Sequence, residues 1–207
     1  MSVEKAYNIW AHQYDINKNR TRDLDKKSTI ETLSKFEFKN VLELGCGTGK
    51  NTSWLLEKAT QIIGLDFSQE MLNKAKEKIS NKKVVFKKAD LNEDWEVENH
   101  FADLITSSLT LEHIEDLNHI FEQGNLKLKK NGLFFISELH PFKQYSGSKA
   151  QYETENGTQE LEVYTHHISE YIDCANNNGL KLVEIKEWFD DTSPNGLPRL
   201  ISILFEK

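Results

Sequence analysis

Cysteine is scarce in this chain: Cys46 and Cys174 are the only two in 207 residues. Two cysteines cannot make a disulfide framework, so a reduced cytoplasm is the expected compartment. Neither has the company of a metal site, and each reads as a small packing residue. No apolar run approaches the ~20 residues that a membrane helix needs, so no membrane span is expected. Residues 1–6 carry an acid early and no apolar core, unlike a signal peptide. Basic clusters are also missing. The 26 Lys+Arg are outnumbered by 33 Asp+Glu, for a net charge of −7. The short lysine groups at 26–27, 87–88 and 127–130 are interleaved with acids, as on a solvated face. Nucleic-acid partners call for clustered positive charge and are not expected. Small molecules, basic ones among them, fit this balance better. No internal repeat, linker or low-complexity segment is visible. What remains is 38% hydrophobic and 29% charged residues. That composition describes one globular domain, long enough to bury about 70% of its unfolded surface.

The stretch that organises the rest is Val41-Leu-Glu-Leu-Gly-Cys-Gly-Thr-Gly-Lys50. Residues 41–44 read as a short buried strand ending on an acid. Gly45, Gly47 and Gly49 then form a turn with little bulk, where backbone can bend sharply and a ligand can come close. A helix follows, carrying Trp54, Leu55 and Leu56. Strand, glycine turn and helix N-terminus make the nucleotide cradle of doubly wound α/β folds. A dinucleotide loop runs G-x-G-x-x-G, but here the third glycine comes one residue early. Glu43 also sits two residues before the first glycine, where its charge would repel a pyrophosphate and attract an ammonium or a sulfonium. A carboxylate on the same ligand could use the helix N-terminus.

With these residues the chain resembles the class I S-adenosylmethionine-dependent methyltransferases, whose cofactor has all three groups. The resemblance implies that Glu43, Gly45, Cys46, Gly47 and Gly49 form the cofactor loop. Residues 61–65 read as the second strand, ending in Asp66, roughly 20 residues past the glycine turn, where an acid binds both ribose hydroxyls. Phe67 and Met71 follow it at the start of a helix that Ser68 caps. Residues 83–88 are the third strand; in the family an acid after it, here Asp90, accepts from the adenine amino group, while a neighbour such as Leu91 packs on the ring. Residues 101–106 are the fourth strand, and ligands bind beyond its carboxyl end. There Ser107-Ser-Leu-Thr-Leu-Glu-His113 resembles the L-E-H motif of the type 11 group, which contains ubiquinone, menaquinone and biotin-pathway methyltransferases. Ser107, Ser108 and His113 are accordingly expected at the cofactor. The match covers residues 40–139 and speaks to the cofactor more than to the acceptor.

Before this core, Val3, Ala6, Tyr7, Trp10, Ala11 and Tyr14 recur at helical spacing, and a second helix is expected over residues 23–34 with Leu24, Ile30 and Leu33 inward. Two such helices commonly form a lid in small-molecule members of the family. Tyr14-Asp15 after Trp10-Ala11 resembles its A-x-x-Y-D segment, whose tyrosine touches the cofactor. After the core, the fifth strand ends at residue 139. Asn156-Gly157, between residues of alternating character, predicts a β-hairpin inserted over the site. A helix through Tyr171 and Ala175 and two strands, 180–188 and 200–205, complete the chain. Residues 190–198 are too few for a crossover helix, so the last pair is expected to be antiparallel. The expected fold is therefore a doubly wound seven-stranded α/β sheet of order 3-2-1-4-5-7-6 with strand 7 antiparallel. Its expected parts are lid helices (1–38), cofactor core (40–139), substrate-side insert (140–167) and a C-terminal helix with two strands (168–207), all in one domain.

Methyl transfer from a sulfonium mainly requires positioning and exclusion of water, and sometimes a base to free the acceptor's lone pair. His140, His166 and His167 are the candidate bases, with Glu138 a weaker one. The adjacency of His166 and His167 is poor spacing for a metal, and none is expected. Within the insert His140, Tyr145, Lys149, Tyr164, His166 and His167 could recognise a polar acceptor. The segment after strand four lacks the [DN]-P-P-[YFW] clamp of amide and nucleobase amino-group methyltransferases, and neither cysteine lies in a Pro-Cys motif. The implied function is methyl transfer to oxygen, nitrogen or carbon of a small molecule. The alternatives are a protein or tRNA methyltransferase, a non-catalytic cofactor-binding module, and an NAD dehydrogenase with a wholly parallel sheet.

Overall fold

Residues 40–44 bury apolar side chains alternately on two sides. Val41 joins Phe38, Leu55, Leu104 and Phe135 in one cluster, whereas Leu42 and Leu44 join Ile105, Phe121 and Phe134 in another. A strand buried on both faces belongs at the centre of a parallel sheet. The computed structural model describes residues 2–16, 18–147, 151–154, 157–189 and 196–207, with backbone alone for 151–154 and 158–160.

Strand β1 (Asn40–Leu44) pairs in parallel with β2 (Gln61–Asp66) and with β4 (Ala102–Ser108). Outward from these, β3 (Val84–Lys88) pairs with β2, and β5 (Leu128–Leu139) with β4, again in parallel. The helices α3 (Lys50–Lys58), α4 (Gln69–Lys78) and α5 (Leu117–Lys127) make the crossovers. The short helix α6 (Pro141–Tyr145) leads to a separate hairpin, β6 (Gln151–Thr154) with β7 (Gly157–Glu160). Gly157 is one of the two residues that signalled this turn; Asn156 lies outside the described residues. Helix α7 (Ile168–Asn177) then leads to β8 (Lys181–Trp188) and β9 (Leu200–Glu206), and β9 inserts antiparallel between β5 and β8. The sheet order is β3-β2-β1-β4-β5-β9-β8, the expected 3-2-1-4-5-7-6 once the two hairpin strands are left uncounted. The antiparallel end removes the wholly parallel dehydrogenase sheet.

Helices α5 and α7 cover one face of the sheet with Leu117, Ile120, Phe121, Tyr171 and Ala175. Helix α3 covers the other through Leu55, beside Leu33 at the end of α2 (Arg20–Leu33). Each fully buried Leu or Phe contributes about 1.5–3 kcal/mol. A one-residue slip would turn that set outward, so the strands are held in register and end at fixed points beneath the site.

Three elements differ from the sequence reading. Helix α1 spans Val3–Trp10 and does not reach Tyr14, the last residue of the helical spacing. The Tyr14 carbonyl accepts from Arg22 Nη1, and the Arg22 guanidinium lies 4.1 Å from the Tyr14 ring centroid, so residues 11–16 turn back beneath α2. Helix α2 buries Arg22, Asp25, Ser28, Thr29, Thr32 and Leu33, whereas Leu24 and Ile30, expected inward, are only half-buried. A helix that turns its polar stripe inward has a reason beyond core packing. For the helix after the fourth strand the sequence places a stop at Asn131-Gly132; α5 instead ends at Lys127, because β5 already begins at Leu128.

Candidate active site

At the carboxyl ends of β1, β2 and β4, Gly45, Gly47, Asp66, Ser108, Leu109 and Thr110 open onto a cavity of about 310 Å³. Phe67, Met71 and Leu91 give it an apolar wall, Asp90 lies beside Leu91, and Tyr7, Tyr14, His113 and Glu162 contribute from the lid side. A cleft of about 40 Å³ adjoins it, sharing Tyr14, Gly45, Gly47, Ser108 and Leu109 and adding Arg22, Asp25, Glu43, Cys46, Lys50 and Asn51. That is room for a small polar group.

The glycine loop is shaped by close approach. A Cβ on Gly45 would stand 2.1 Å from Thr110 Oγ1, and the backbone there has φ +63°. Gly47 also has positive φ, +52°, but a Cβ there meets nothing within 4 Å and would project into the space that the loop lines. Asp66 is anchored from below: Gly47 N donates to its Oδ2 and Ser68 N to its Oδ1, each at 2.8 Å. Burial pushes its pKa up to about 6, against the lowering effect of those N–H groups. Each carboxylate oxygen keeps a lone pair for a further donor. An acid with both oxygens held at the cavity, an apolar wall and a bare backbone loop fit a nucleoside.

Leu109, directly after β4, has φ +52°, and its N–H donates to the Ser137 carbonyl at 2.9 Å. A branched residue in the left-handed region costs energy and is held there by its surroundings. It stands on the cavity wall.

On the lid side Tyr7 and His113 meet. Tyr7 Oη lies 2.9 Å from His113 Nε2, and His113 Nδ1 lies 3.1 Å from the Glu162 carbonyl oxygen. A carbonyl only accepts, so Nδ1 carries the ring proton and Nε2 accepts from the Tyr7 hydroxyl. Burial lowers the His113 pKa and keeps the ring neutral, and burial raises that of Tyr7 well above the ordinary phenol value. The lid is tied down at several other points. Asn8 Oδ1 accepts from Ser68 Oγ at 2.7 Å, Lys88 pairs with Glu4 at 2.7 Å, and Thr48 Oγ1 donates to Asp15 at 2.8 Å.

Of the residues expected at the cofactor, the cavity gathers Tyr14, Gly45, Gly47, Asp66, Phe67, Met71, Asp90, Leu91, Ser108 and His113. Glu43 and Cys46 line the adjoining cleft. The Cys46 side chain packs with Leu72, Ala75 and Phe86. Glu43 does not stand as the bare charge the sequence suggested: it is buried, Thr52 Oγ1 donates to its Oε2 at 2.5 Å, and burial pushes its pKa up to about 8. Gly49 and Ser107 lie behind these linings; Gly49 is the N-cap of α3, and Ser107 is fully buried in β4.

The three histidines expected as bases are not among the residues lining the cavity or the cleft. His140 caps α6: its Nδ1 accepts from Phe142 N at 3.1 Å and its Nε2 lies 3.1 Å from Glu187 Oε1. His166 Nε2 donates to the Ile114 carbonyl at 2.7 Å, with Nδ1 3.0 Å from Glu170. His167 begins α7, with its Nδ1 2.5 Å from the Tyr145 hydroxyl. Glu138 is buried, receives the Thr110 and Leu111 N–H groups at 3.0 Å each, and has its pKa pushed up to about 8 by burial and by Glu112. Of the insert, Glu162 is the described residue on the cavity wall. Lys149 lies outside the described residues. Sequence reasoning missed Tyr7, Leu109, Arg22 and Asp25. Tyr7 was counted among the inward residues of α1, and only the fold shows it reaching His113.

This sheet, its antiparallel end and a nucleoside-shaped cavity at the carboxyl ends of its strands define an S-adenosylmethionine-dependent methyltransferase of class I. Residues 16–185 match the family described as "Methyltransferase domain", and the chain belongs to it. An uncharacterized protein of Haemophilus influenzae is 28% identical over 159 residues, 71% of this chain and 60% of its own length. Phosphoethanolamine N-methyltransferase 1 of Arabidopsis thaliana is 38% identical over 104 residues, 47% of this chain, and the chain spans 21% of that protein's length. The crystal structure of an S-adenosylmethionine-dependent methyltransferase from Mesorhizobium loti superposes with a TM-score of 0.74 at 18% identity, covering 89% of this chain and 98% of its own.

Proposed function

We propose that this methyltransferase acts on a free small molecule, neutral or cationic, and that Tyr7 and His113 handle the acceptor's proton. The observation that carries this reading is the Tyr7–His113 hydrogen bond on the wall of the cavity. S-adenosylmethionine, when bound, supplies an electrophilic methyl group. Asp66 would hold the ribose, and Phe67, Met71 and Leu91 would enclose the adenine. The acceptor's lone pair attacks as its proton passes to the Tyr7 oxygen, while the Tyr7 proton moves to Nε2 of neutral His113. The Glu162 carbonyl keeps Nδ1–H in place and so fixes the tautomer that can accept.

The charge of the lining supports the acceptor class. Among the described residues, those around the main cavity include Asp66, Asp90 and Glu162 and no lysine or arginine. A nucleic acid or a phosphorylated acceptor would meet uncompensated negative charge there. The Arabidopsis relative is named for a phosphorylated amine, so that substrate would not transfer unchanged to this chain. The lid also supports a small molecule: Leu161 packs against Ala6, and Tyr164 N donates to the Glu112 carbonyl at 2.7 Å, roofing the site from the insert side.

The test is methyl transfer from labelled S-adenosylmethionine into cell extract split into metabolites, protein and nucleic acid. Label is expected in the metabolite fraction. Transfer confined to protein or RNA would overturn the small-molecule reading.

A further inference from the structure

The polar stripe that α2 turns inward leads to one carboxylate with no assigned role. Asp25 is 4% exposed and lines the 40 Å³ cleft beside the glycine loop. Asn51 Nδ2 donates to its Oδ2 at 3.0 Å, while its Oδ1 is buried without a hydrogen-bond partner. Burial raises its pKa, opposed by Asn51 and by the nearby Ser137 and Ser108 hydroxyls. Ser137 Oγ is 2.9 Å from Ser28 Oγ, and Ser108 Oγ accepts from Asn51 Nδ2 at 3.3 Å. An unmatched carboxylate oxygen in such a place is costly unless a cation or donor joins it. The cleft has both signs of charge, Asp25 and Glu43 against Arg22 and Lys50, as suits a zwitterion. The two acids are not equivalent. Glu43 already receives the Thr52 hydroxyl at 2.5 Å and is held toward its protonated form. Lys50 is partly committed too, donating to the Arg22 carbonyl at 2.8 Å and pairing with Asp23 at 3.1 Å. Asp25 therefore has the free acceptor atom.

We infer that Asp25, held by Asn51, takes the ammonium of the amino-acid tail of S-adenosylmethionine, so that lid helix α2 closes on the cofactor and not only over it. This rests on the cofactor assignment above and names a ligand for a part of the cofactor that the glycine loop alone does not neutralise. The cleft joins the main cavity through Tyr14, Gly45, Gly47, Ser108 and Leu109, so a nucleoside in one and its tail in the other are contiguous. Asp25 is a positioning residue: it fixes the tail and thereby the sulfonium, and touches no reacting atom.

Calorimetric titration of the wild type and of Asp25→Asn with three ligands tests it. These are S-adenosylhomocysteine, its deaminated analogue and methylthioadenosine, which lacks the tail altogether. Asparagine keeps an oxygen for Asn51 and removes the charge. In the variant, S-adenosylhomocysteine should bind at least tenfold more weakly, and methylthioadenosine within twofold of wild type, which also reports an intact cavity. The deaminated analogue should bind both proteins alike. Unchanged affinity for S-adenosylhomocysteine, or an equal loss for all three ligands, would overturn the assignment of Asp25. Failure of the wild type to bind any of them would instead overturn the cofactor reading, and the inference with it.

Discussion

The Tyr7 hydroxyl lies 2.9 Å from His113 Nε2, although 106 positions separate the two residues in the chain. One comes from the lid helix and the other from the short 3-10 helix that follows β4, so the pair exists only when the lid is seated. Replacing His113 with Ala is expected to lower turnover by the ~10²–10⁴-fold typical of a lost general base. Tyr7→Phe should lose much of the same activity, and the double variant little more, because the two act as one unit. Affinity for S-adenosylhomocysteine, measured on the same preparations, should change only a few-fold. Comparable losses in affinity and turnover would assign the pair to cofactor binding.

The histidines outside the cavity are expected to act on stability. His166→Ala would leave the buried Ile114 carbonyl without the donor it now has at 2.7 Å. The cost of one orphaned buried acceptor is about 1–3 kcal/mol. Denaturant unfolding should show that loss, with turnover per folded molecule unchanged. A large fall in turnover without loss of stability would make His166 a candidate base again.

Much of this was legible from the chain because its signals are local. Strand, glycine turn and helix are adjacent between residues 40 and 58, and Asp66 follows at the end of the next strand. The antiparallel end was readable because too few residues separate β8 from β9 for a crossover. The acceptor side was not legible in the same way. His140 and His166 look alike as candidates in sequence, and only their partners, Phe142 N and Glu187 for one and Ile114 O and Glu170 for the other, show that they are engaged. Helix α2 misled for a physical reason: apolar spacing pointed Leu24 and Ile30 inward, but the inward face carries polar residues, of which Arg22 and Asp25 border a cleft and Ser28 bonds Ser137 of β5.

Acid groups give the ligand-free protein an unusual pH dependence. Burial pushes Glu43 and Glu138 up to about 8 and Glu112 up to about 7, from an ordinary 4.5. Over that window the folded protein holds protons that the unfolded chain has released, so stability falls as pH rises. The slope is at most about 1.4 kcal/mol per pH unit for each such group. The melting temperature should therefore drop from about pH 5 toward pH 8 and level off above it, and the part between about pH 7 and pH 8 lies above the ordinary histidine pKa of about 6.5. Glu138→Gln, whose amide oxygen can still accept from Thr110 and Leu111, should flatten the slope. A melting temperature that rises across this interval would contradict the burial of these acids in their protonated form.

Gly47 should tolerate no side chain. Valine there would be strained at φ +52° and would project into the space the loop lines. Gly47→Val is expected to abolish S-adenosylhomocysteine binding while far-UV circular dichroism stays near that of the wild type, since a side chain at this position would meet no core residue. Normal binding in that variant would mean that the loop is not the cradle.

The cofactor site itself is tested most directly at Asp66, whose two oxygens are held by Gly47 N and Ser68 N at the cavity wall. Titration of S-adenosylhomocysteine into wild type and Asp66→Ala, with circular dichroism on both, is the measurement. The expected loss is about 1.5–3 kcal/mol, the scale of hydrogen bonds to a charged group, or roughly 10- to 150-fold in affinity. Unchanged affinity in a folded Asp66→Ala protein would contradict the placement of the ribose, and with it the orientation of everything else in the cavity.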